Sequence, residues 1–273
     1  SFAYDNIMVF PDQFKNHILP DKVHMLNVCF LVPEMRREFG GCAGNIAYNL
    51  NLLGGDGKPM GAVGQDFAAY AEWMTEKQIS QEFLLPVSDA FTAQAFITTD
   101  LDDNQITAFH PGAMNHAHEQ VIPTDAGISL GLLSPDGRDA MLQHAEQFDA
   151  AGIPFVFDPG QGLPMFNGEE LLRFIELAEY ITVNDYEAQL LQERTGLSEV
   201  AIAQRVKALI VTEGAEGSVV YTEAETLQIP AVSVANIKDP TGCGDAYRAG
   251  LIFGLMIAMD WQTTCRIASL MGA

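Results

Sequence analysis

Asp245 follows a run of small residues that precedes an apolar, helix-forming stretch. The triplet Gly242-Cys243-Gly244 stands immediately before it, and Ala246–Met259 has the composition of a buried helix. Backbone N–H groups at the amino end of a helix bind anions, and small side chains let a phosphoryl group approach closely. A carboxylate in the first turn can accept the proton of a hydroxyl beside such an anion site. The other interpretation of Asp245 is a helix cap after a glycine-rich turn.

A second run of small residues, Gly40-Gly-Cys-Ala-Gly-Asn45, opens another predicted helix over Gly44–Leu53. It is followed by Ala47, the pair Gly54-Gly55 and the stretch Gly61-Ala-Val-Gly-Gln-Asp66. Together with Asp239-Pro-Thr-Gly-Cys-Gly-Asp245, these residues resemble the two signatures of the ribokinase-like (PfkB) carbohydrate kinase family, the second being Asp-x-Thr-Gly-x-Gly-Asp. Two long motifs in the right order rarely arise by chance, and the resemblance covers essentially the whole chain.

The resemblance implies a kinase that uses ATP and Mg²⁺, with Asp245 as the base that takes the proton from an acceptor hydroxyl. Gly242, Cys243 and Gly244 would form the anion hole that stabilises charge on the transferring phosphoryl group. Cys243 stands where the family commonly has Ala, a small change that should leave the anion hole usable. A P-loop is rejected, because Lys58 is followed by Pro rather than by Ser or Thr.

The resemblance implies an acceptor site in the first half of the chain. Gly41 and Asn45 match residues that help to hold the acceptor, and Asp5 matches a strand-end Asp that binds sugar hydroxyls. A carboxylate is a good hydrogen-bond acceptor for two neighbouring hydroxyls, which agrees with this role. His110 follows a predicted hairpin and is a further candidate contact. The alternatives are a helix-terminal position for Asn45 and a turn carboxylate for Asp5.

The ATP site is implied by strand ends in the second half. Asn184-Asp-Tyr-Glu187 resembles the Asn-x-x-Glu motif that organises Mg²⁺ and phosphate, often through water, and oxygen ligands suit Mg²⁺. Thr212, Gly214 and Gly217 match a strand and turn that contact the nucleotide. The alternatives are an N-cap with a capping-box Glu for Asn184 and Glu187, and a tight hairpin around Gly214.

Other positions are weaker candidates or stay open. Asp158 ends another predicted strand, where α/β sheets place ligands, and ranks below the motifs already named. Arg248 is either structural or phosphate-facing. Some family members bind K⁺ near the segment that corresponds to Asp239 and Thr241, and whether this chain does so is open. The resemblance also implies further elements beyond Ala273 that help to enclose the adenine.

The pattern of short apolar runs predicts the fold. From about residue 126 onward, runs such as Ala208–Thr212 alternate with helical patterns, which predicts an α/β fold with a doubly wound, mainly parallel sheet flanked by helices. The first part of the chain is richer in β-structure and includes a predicted hairpin within residues 93–110. We expect a single ribokinase-like domain over residues 1–273, with a small β-lid formed by insertions at about residues 11–39 and 91–110.

Composition and charge restrict the partners. Thirty-six acidic residues against fourteen basic ones give a net charge of -22, which argues against binding to nucleic acid or to anionic membranes. The four cysteines include no CxxC pair, so a reducing, cytoplasmic compartment is expected. Cys29 and Cys265 are expected to be small buried residues.

The acceptor class is the least determined part of the function. The segments Phe39–Asn45 and His110-Pro-Gly-Ala-Met114 look closest to the adenosine or nucleoside kinase-like prokaryotic members of the family. A nucleoside such as adenosine is therefore favoured, and a sugar kinase acting on ribose or fructose is the alternative. A non-catalytic ligand-binding protein on the same fold is the alternative from another class. Phe10, Phe14, Phe30 and Phe39 suit either base stacking or core packing. The resemblance is compatible with a homodimer formed through the lid.

Overall fold

The structure is a computed structural model that describes residues 1–18, 25–234 and 241–273. Its strands are β1 (Ala3–Val9), β2 (Met35–Gly40), β3 (Met60–Gly64), β4 (Phe83–Val87), β5 (Ala93–Thr99), β6 (Gln105–His110), β7 (Gly131–Leu133), β8 (Phe155–Phe157), β9 (Tyr180–Asn184), β10 (Ala208–Thr212), β11 (Ser218–Tyr221) and β12 (Thr226–Ile229). Its α-helices are α1 (Cys42–Leu52), α2 (Ala68–Glu76), α3 (Arg138–Ala150), α4 (Gly168–Leu177), α5 (Asp185–Thr195), α6 (Glu199–Ala203), α7 (Cys243–Met256) and α8 (Trp261–Met271). 3₁₀ segments occur at Phe14–Asn16, Gly112–Glu119, Gly160–Met165 and Gly214–Glu216.

The main sheet has the strand order β12-β11-β10-β9-β8-β7. The strands β7 to β10 run parallel to one another, and β11 and β12 are added antiparallel at one edge. The predicted mainly parallel α/β fold is confirmed. The carboxyl ends of the parallel strands therefore lie along one edge of the sheet, where such folds place their ligands.

Helices cover both faces of this sheet, as its apolar strands require. In β10, Leu209 and Val211 pack into the cluster that includes residues of α3, α4 and α5. The intervening Ala208 and Ile210 pack with residues of α7 and α8 on the other face. Because successive side chains of a strand point to opposite faces, a strand that is apolar throughout must be buried between two layers. This three-layer packing fixes α7, the helix that carries Asp245, against the sheet.

A second sheet contains the predicted hairpin. Its order is β2-β1-β5-β6, and β5 and β6 pair antiparallel with Thr99 opposite Gln105. β1 lies inside this sheet, between β2 and β5, although the predicted lid boundaries of 11–39 and 91–110 leave β1 out. The pairing of β1 with two distant strands cannot be read from local patterns. Residues 19–24 of the first predicted lid segment lie outside the described residues. We call β2-β1-β5-β6 the small sheet.

The early aromatic residues pack against one another. Phe10 stacks on Phe14 with ring centroids 5.9 Å apart, and Phe30 lies 4.8 Å from Phe10. Phe39 belongs to a different cluster, 4.7 Å from Tyr70 and 5.4 Å from Trp73. The packing interpretation of these rings therefore accounts for their positions.

The structure also bears on membrane spans and on the cysteines. Within the described residues, no helix is both long enough and apolar enough to cross a membrane. All four cysteines are free thiols, and Cys265 is buried as expected. The expected burial of Cys29 is wrong, because this residue is exposed in the segment that precedes β2.

Candidate active site

The two glycine-rich motifs meet at their polar residues. Gly242 is the N-cap of α7 and has φ +81, a left-handed conformation that L side chains rarely adopt. Asp245 follows in the first turn of α7, as predicted. Asn45 in α1 donates from Nδ2 to Oδ2 of Asp245 at 2.9 Å. The amino ends of α1 and α7 therefore converge on one carboxylate, next to backbone N–H groups that a helix leaves without partners.

The first glycine-rich motif is shaped by close packing. Gly41, the N-cap of α1, has φ +87, and a Cβ there would lie 2.6 Å from the backbone nitrogen of Ala3. The buried Tyr70 of α2 donates its hydroxyl to the Gly40 carbonyl at 2.9 Å. A Cβ on Gly44 would collide with the same Tyr70 hydroxyl. The glycines thus let the chain turn tightly and let Tyr70 hold the turn from behind, a role that the sequence did not reveal.

Asp5 lies beside this turn, on β1. Its carboxylate is next to Gly40, where an added Cβ would collide with it. Burial raises the pKa of Asp5, and the nearby carboxylates of Asp245 and Glu38 raise it further. The influence of Asp245 on the pKa of Asp5 indicates that the two carboxylates are close enough to interact through their charges.

The pKa of Asp245 is set by opposing influences. Burial raises it most, and the hydrogen bond from Asn45 lowers it. Asp158 raises it and Arg248 lowers it by their charges. A carboxyl whose pKa is raised toward the working pH accepts a proton more readily than an ordinary surface Asp.

Three polar residues stand at neighbouring strand ends of the main sheet. Asn184 ends β9 and is paired with Thr212, which ends β10. Asp158 follows β8, whose Phe157 is paired with Ile181 of β9. The predicted ATP-site residues Asn184 and Thr212 are therefore adjacent, and Asp158 stands at the next strand along the same edge.

Asn184 and Glu187 form a capping box at the start of α5. Oδ1 of Asn184 accepts from the Glu187 backbone N–H at 2.7 Å, and Oε2 of Glu187 accepts from the Asn184 backbone N–H at 2.9 Å. The capping-box alternative is therefore present in the structure. Burial raises the pKa of Glu187, with Asp158 adding to the effect. The other carboxylate oxygen of Glu187, Oε1, takes part in neither of these two hydrogen bonds.

The described residues contain no cluster of three or more His, Cys, Asp or Glu side chains that could hold a metal ion. A cage made of protein ligands is therefore not present in that part of the chain. Mg²⁺ commonly keeps several waters and takes one or two carboxylates plus phosphate oxygens from its substrate. The donor set of Glu187 and Asn184 fits an ion of that kind, held through water.

The turn after β10 has positive φ angles at two positions, and both are glycines. Gly214 has φ +55 and Gly217 has φ +105. The Glu213 N–H donates to the Gly217 carbonyl at 2.8 Å, and β11 pairs back on β10 with Ser218 opposite Thr212. The hairpin alternative is thus correct as a description of the backbone, and it leaves the turn at the same sheet edge as Asn184.

His110 is placed differently from the other predicted acceptor contacts. It is exposed at the end of β6 and is paired with Gln94, which is paired with Tyr4. Asp5 belongs to the next row of the small sheet, with Ala95 and Phe109. Because strand side chains alternate between faces, Phe109 shares the face of Asp5 and His110 does not. An acceptor contact of His110 stays a prediction, and Phe109 is the β6 residue on the face of Asp5.

Arg248, which the sequence left as either structural or phosphate-facing, is paired with a strand-end carboxylate. Its guanidinium donates from Nε to Oδ2 of Asp158 at 2.7 Å and from Nη2 to Oδ1 at 2.8 Å. Both side chains are buried. Both carboxylate oxygens of Asp158 therefore accept hydrogen bonds from an arginine of α7. The sequence carried no signal for this pairing.

The geometry of the candidate site agrees with the result of comparing the sequence with known protein families. A sequence model described as "pfkB family carbohydrate kinase" matches residues 12–273. The chain belongs to the pfkB family of carbohydrate kinases. As a member of this family it is a phosphotransferase that acts on a hydroxyl group. Among characterised relatives, a nucleoside kinase of Methanocaldococcus jannaschii is 33% identical over 239 residues, covering 86% of this chain and 78% of the relative.

Solved structures of pfkB-like proteins superimpose closely. A Burkholderia thailandensis nucleoside kinase in complex with inosine matches with a TM-score of 0.90 and 53% identity, covering 100% of this chain and 87% of that one. The same kinase in complex with ADP-inosine matches with a TM-score of 0.87 and 55% identity, covering 100% and 86%. The ribokinase-like fold of this pfkB family member is confirmed by these superpositions.

Proposed function

We propose that this chain is an ATP-dependent nucleoside kinase that phosphorylates a primary hydroxyl of its acceptor. The observation that carries the proposal is the hydrogen bond between Asn45 and Asp245, which joins the acceptor motif to the predicted catalytic base. The similarity to nucleoside kinases, one of them bound to inosine, supports a nucleoside as the acceptor.

Asp245 is proposed to act as the general base. Its carboxylate takes the proton of the acceptor hydroxyl as that oxygen forms a bond to the γ-phosphorus of ATP. The bond between the γ-phosphorus and the β,γ-bridging oxygen breaks, and ADP leaves with that electron pair. The backbone N–H groups at the start of α7, at Gly242, Cys243 and Gly244, would stabilise negative charge on the transferring group.

The acceptor is proposed to lie between the small sheet and the start of α1. Asp5 supplies carboxylate oxygens for two neighbouring hydroxyls, and Asn45 and the backbone of Gly41 complete the polar surface around Asp245. Ribose in a nucleoside offers such a hydroxyl pair together with one primary hydroxyl. Free ribose offers similar groups, so a sugar kinase is the second candidate, supported by the carbohydrate kinase family description.

ATP is proposed to bind along the carboxyl edge of the main sheet. Asn184, Thr212, Gly214 and Gly217 line that edge at the ends of β9 and β10. Mg²⁺, held through water by Glu187 and Asn184, would neutralise charge on the phosphate oxygens. Whether the chain binds K⁺ near Asp239 and Thr241 stays open, and Asp239 lies outside the described residues.

We propose that residues 1–273 form one domain in which the small sheet acts as a lid over the acceptor. Closure of such a sheet would exclude water and limit wasteful hydrolysis of ATP. The free thiols of the four cysteines are compatible with a reducing cytoplasm. No nucleic-acid or membrane partner is proposed for a chain with a net charge of -22.

We propose that two lids pair in a homodimer. One face of the small sheet carries an exposed apolar surface at its outer end, where Met35, Phe96 and Ile106 are 63%, 40% and 44% exposed. Such a surface favours association with another copy of the chain. Light scattering should give the mass of a dimer for the wild type and of a monomer for Ile106→Lys. A monomeric wild type would exclude this arrangement.

The acceptor class can be tested by identifying the phosphorylated product. Purified protein is incubated with ATP, Mg²⁺ and, separately, adenosine, inosine, ribose and fructose, and the products are analysed by mass spectrometry and phosphorus NMR. We expect nucleoside monophosphate with the phosphate on the primary hydroxyl. Phosphorylation of a free sugar alone would favour the sugar kinase, and no product from any acceptor would favour a non-catalytic binding protein.

A further inference from the structure

Among the residues that the structure describes, the Arg248–Asp158 pair is the most completely buried ion pair near the candidate site. Two parallel hydrogen bonds, at 2.7 and 2.8 Å, join the guanidinium to the carboxylate. The side chains are only 10% and 3% exposed. Burying two charges costs free energy that their attraction only partly offsets, so such a pair is weak evidence of a stabilising role.

Arg248 also makes a third contact, to the turn that forms the predicted anion hole. Its Nη1 donates to the Gly244 carbonyl at 3.2 Å. A Cβ on Gly244 would lie 3.0 Å from the same Nη1, so a residue without a side chain leaves room for the guanidinium. One side chain thus connects the end of β8 to the first turn of α7, one residue before Asp245.

We propose that Arg248 is a positioning residue for phosphoryl transfer: anchored by Asp158, it fixes the first turn of α7 and thereby the Asp245 carboxylate relative to the carboxyl end of the main sheet. The inference rests on the proposed kinase function and deepens it. Arg248 acts through Gly244 and Asp158, and it is not assigned a contact with substrate. A displacement of about 1 Å at a reacting group can lower turnover about a hundredfold.

The charges of the pair give this role a measurable signature. Asp158 raises the pKa of Asp245 and Arg248 lowers it. Removing Arg248 alone leaves a negative charge, which should raise the pKa of Asp245 further. Removing Asp158 alone leaves a positive charge, which should lower it. The polar, titratable and charged side chains linked to Asp245 by a hydrogen bond or by charge come from α1 (Asn45, Cys42), β1 (Asp5), α2 (Tyr70), the end of β8 (Asp158) and α7 itself (Arg248).

The test compares Arg248→Met, Asp158→Asn and the double variant Arg248→Met/Asp158→Leu. Nucleoside phosphorylation is measured from pH 5 to 9, and thermal unfolding is followed on the same samples. The double variant removes both buried charges, so it should fold with a stability near that of the wild type. We expect kcat to stay at least tenfold below the wild-type value in the double variant, with a smaller change in KM for the nucleoside.

The single variants are expected to shift the acidic limb of the kcat profile in opposite directions, Arg248→Met to higher pH and Asp158→Asn to lower pH. Arg248→Lys keeps the positive charge, so the acidic limb of its kcat profile should stay near the wild-type position. Recovery of wild-type kcat in the folded double variant would overturn the inference, since a purely structural pair would behave that way. If the single variants do not fold, the kcat of the double variant alone decides whether the inference holds. A wild type without kinase activity would instead overturn the proposed function itself.

Discussion

Nδ2 of Asn45 donates to Oδ2 of Asp245 at 2.9 Å, although 200 residues separate them in the chain. Asn45 lies in α1 and Asp245 in the first turn of α7, so this bond joins two helix amino ends. It orients Oδ2, and Oδ1 is the oxygen that we propose for the acceptor hydroxyl.

Asn45→Ala should lower kcat about tenfold to a hundredfold, as expected for the loss of a hydrogen bond to a charged group. The bond from Asn45 lowers the pKa of Asp245, so its loss should raise that pKa. The acidic limb of the kcat profile should then move to higher pH. Steady-state kinetics against pH measures both effects. Asn51→Ala, in the same helix, removes a hydrogen bond to the Gln78 carbonyl instead of one to Asp245 and is the control. An unchanged limb in Asn45→Ala would contradict the prediction.

Tyr70→Phe should weaken the glycine-rich turn without creating a cavity. The hydroxyl donates to the buried Gly40 carbonyl, and leaving that carbonyl unpaired should cost about 1–3 kcal/mol of unfolding free energy. KM for the acceptor should rise because Gly41 and Asn45 lose their support. Chemical denaturation and kinetics measure the two effects. Tyr48→Phe, whose ring packs on Trp73, is the matched control. Equal effects of the two substitutions would show that the Tyr70 hydroxyl has no special role.

Asp5→Asn should weaken acceptor binding more than it slows turnover. The amide keeps the size of the side chain and loses one hydrogen-bond acceptor oxygen and the negative charge. We expect KM for the nucleoside to rise at least tenfold while KM for ATP changes little. Calorimetry with the nucleoside alone gives the binding constant directly. Glu38→Gln, opposite Asp5 on β2, is the control. Unaltered nucleoside affinity in Asp5→Asn would remove Asp5 from the acceptor site.

Asp245→Asn should make the protein more stable at neutral pH. Burial raises the folded-state pKa of Asp245 above its unfolded value, so the folded protein holds the proton more tightly. The stability contributed by the protonated form is present at low pH and lost as the pH rises through the folded pKa. A neutral Asn avoids that loss, and the melting temperature should rise by about 2–4 °C for each kcal/mol gained.

Thermal unfolding of Asp245→Asn at pH 4 and pH 8 tests the sign of this effect. The gain over the wild type should be larger at pH 8, where the wild-type carboxylate is ionised, than at pH 4. Asp139→Asn changes an exposed Asp in the first turn of α3 and should give little gain at either pH. A larger gain at pH 4 would mean that the assigned direction of the pKa shift is wrong.

Local sequence patterns predicted much of the fold because they depend on near neighbours. The run Ala208–Thr212 is a strand over the predicted residues, and β5 and β6 form the hairpin predicted within residues 93–110. Membership of β1 in the small sheet was missed, since pairing with β2 and β5 depends on distant parts of the chain.

Contacts between side chains that are distant in the chain could not be predicted from local sequence patterns either. Asp158 and Arg248 are 90 residues apart, and neither residue type indicates a partner. Tyr70 resembles any other core aromatic residue until its hydroxyl is seen at the Gly40 carbonyl. The exposure of Cys29 was mispredicted, because burial was inferred from residue type alone.

The most direct test of the account is the turnover number of Asp245→Asn with a nucleoside and ATP, measured beside nucleoside binding by calorimetry. Loss of a general base predicts a fall in kcat of about 10²–10⁴-fold with nucleoside affinity retained. Asp139→Asn should keep the wild-type kcat. A folded Asp245→Asn protein that phosphorylates the nucleoside at the wild-type rate would contradict the role of Asp245 as the base.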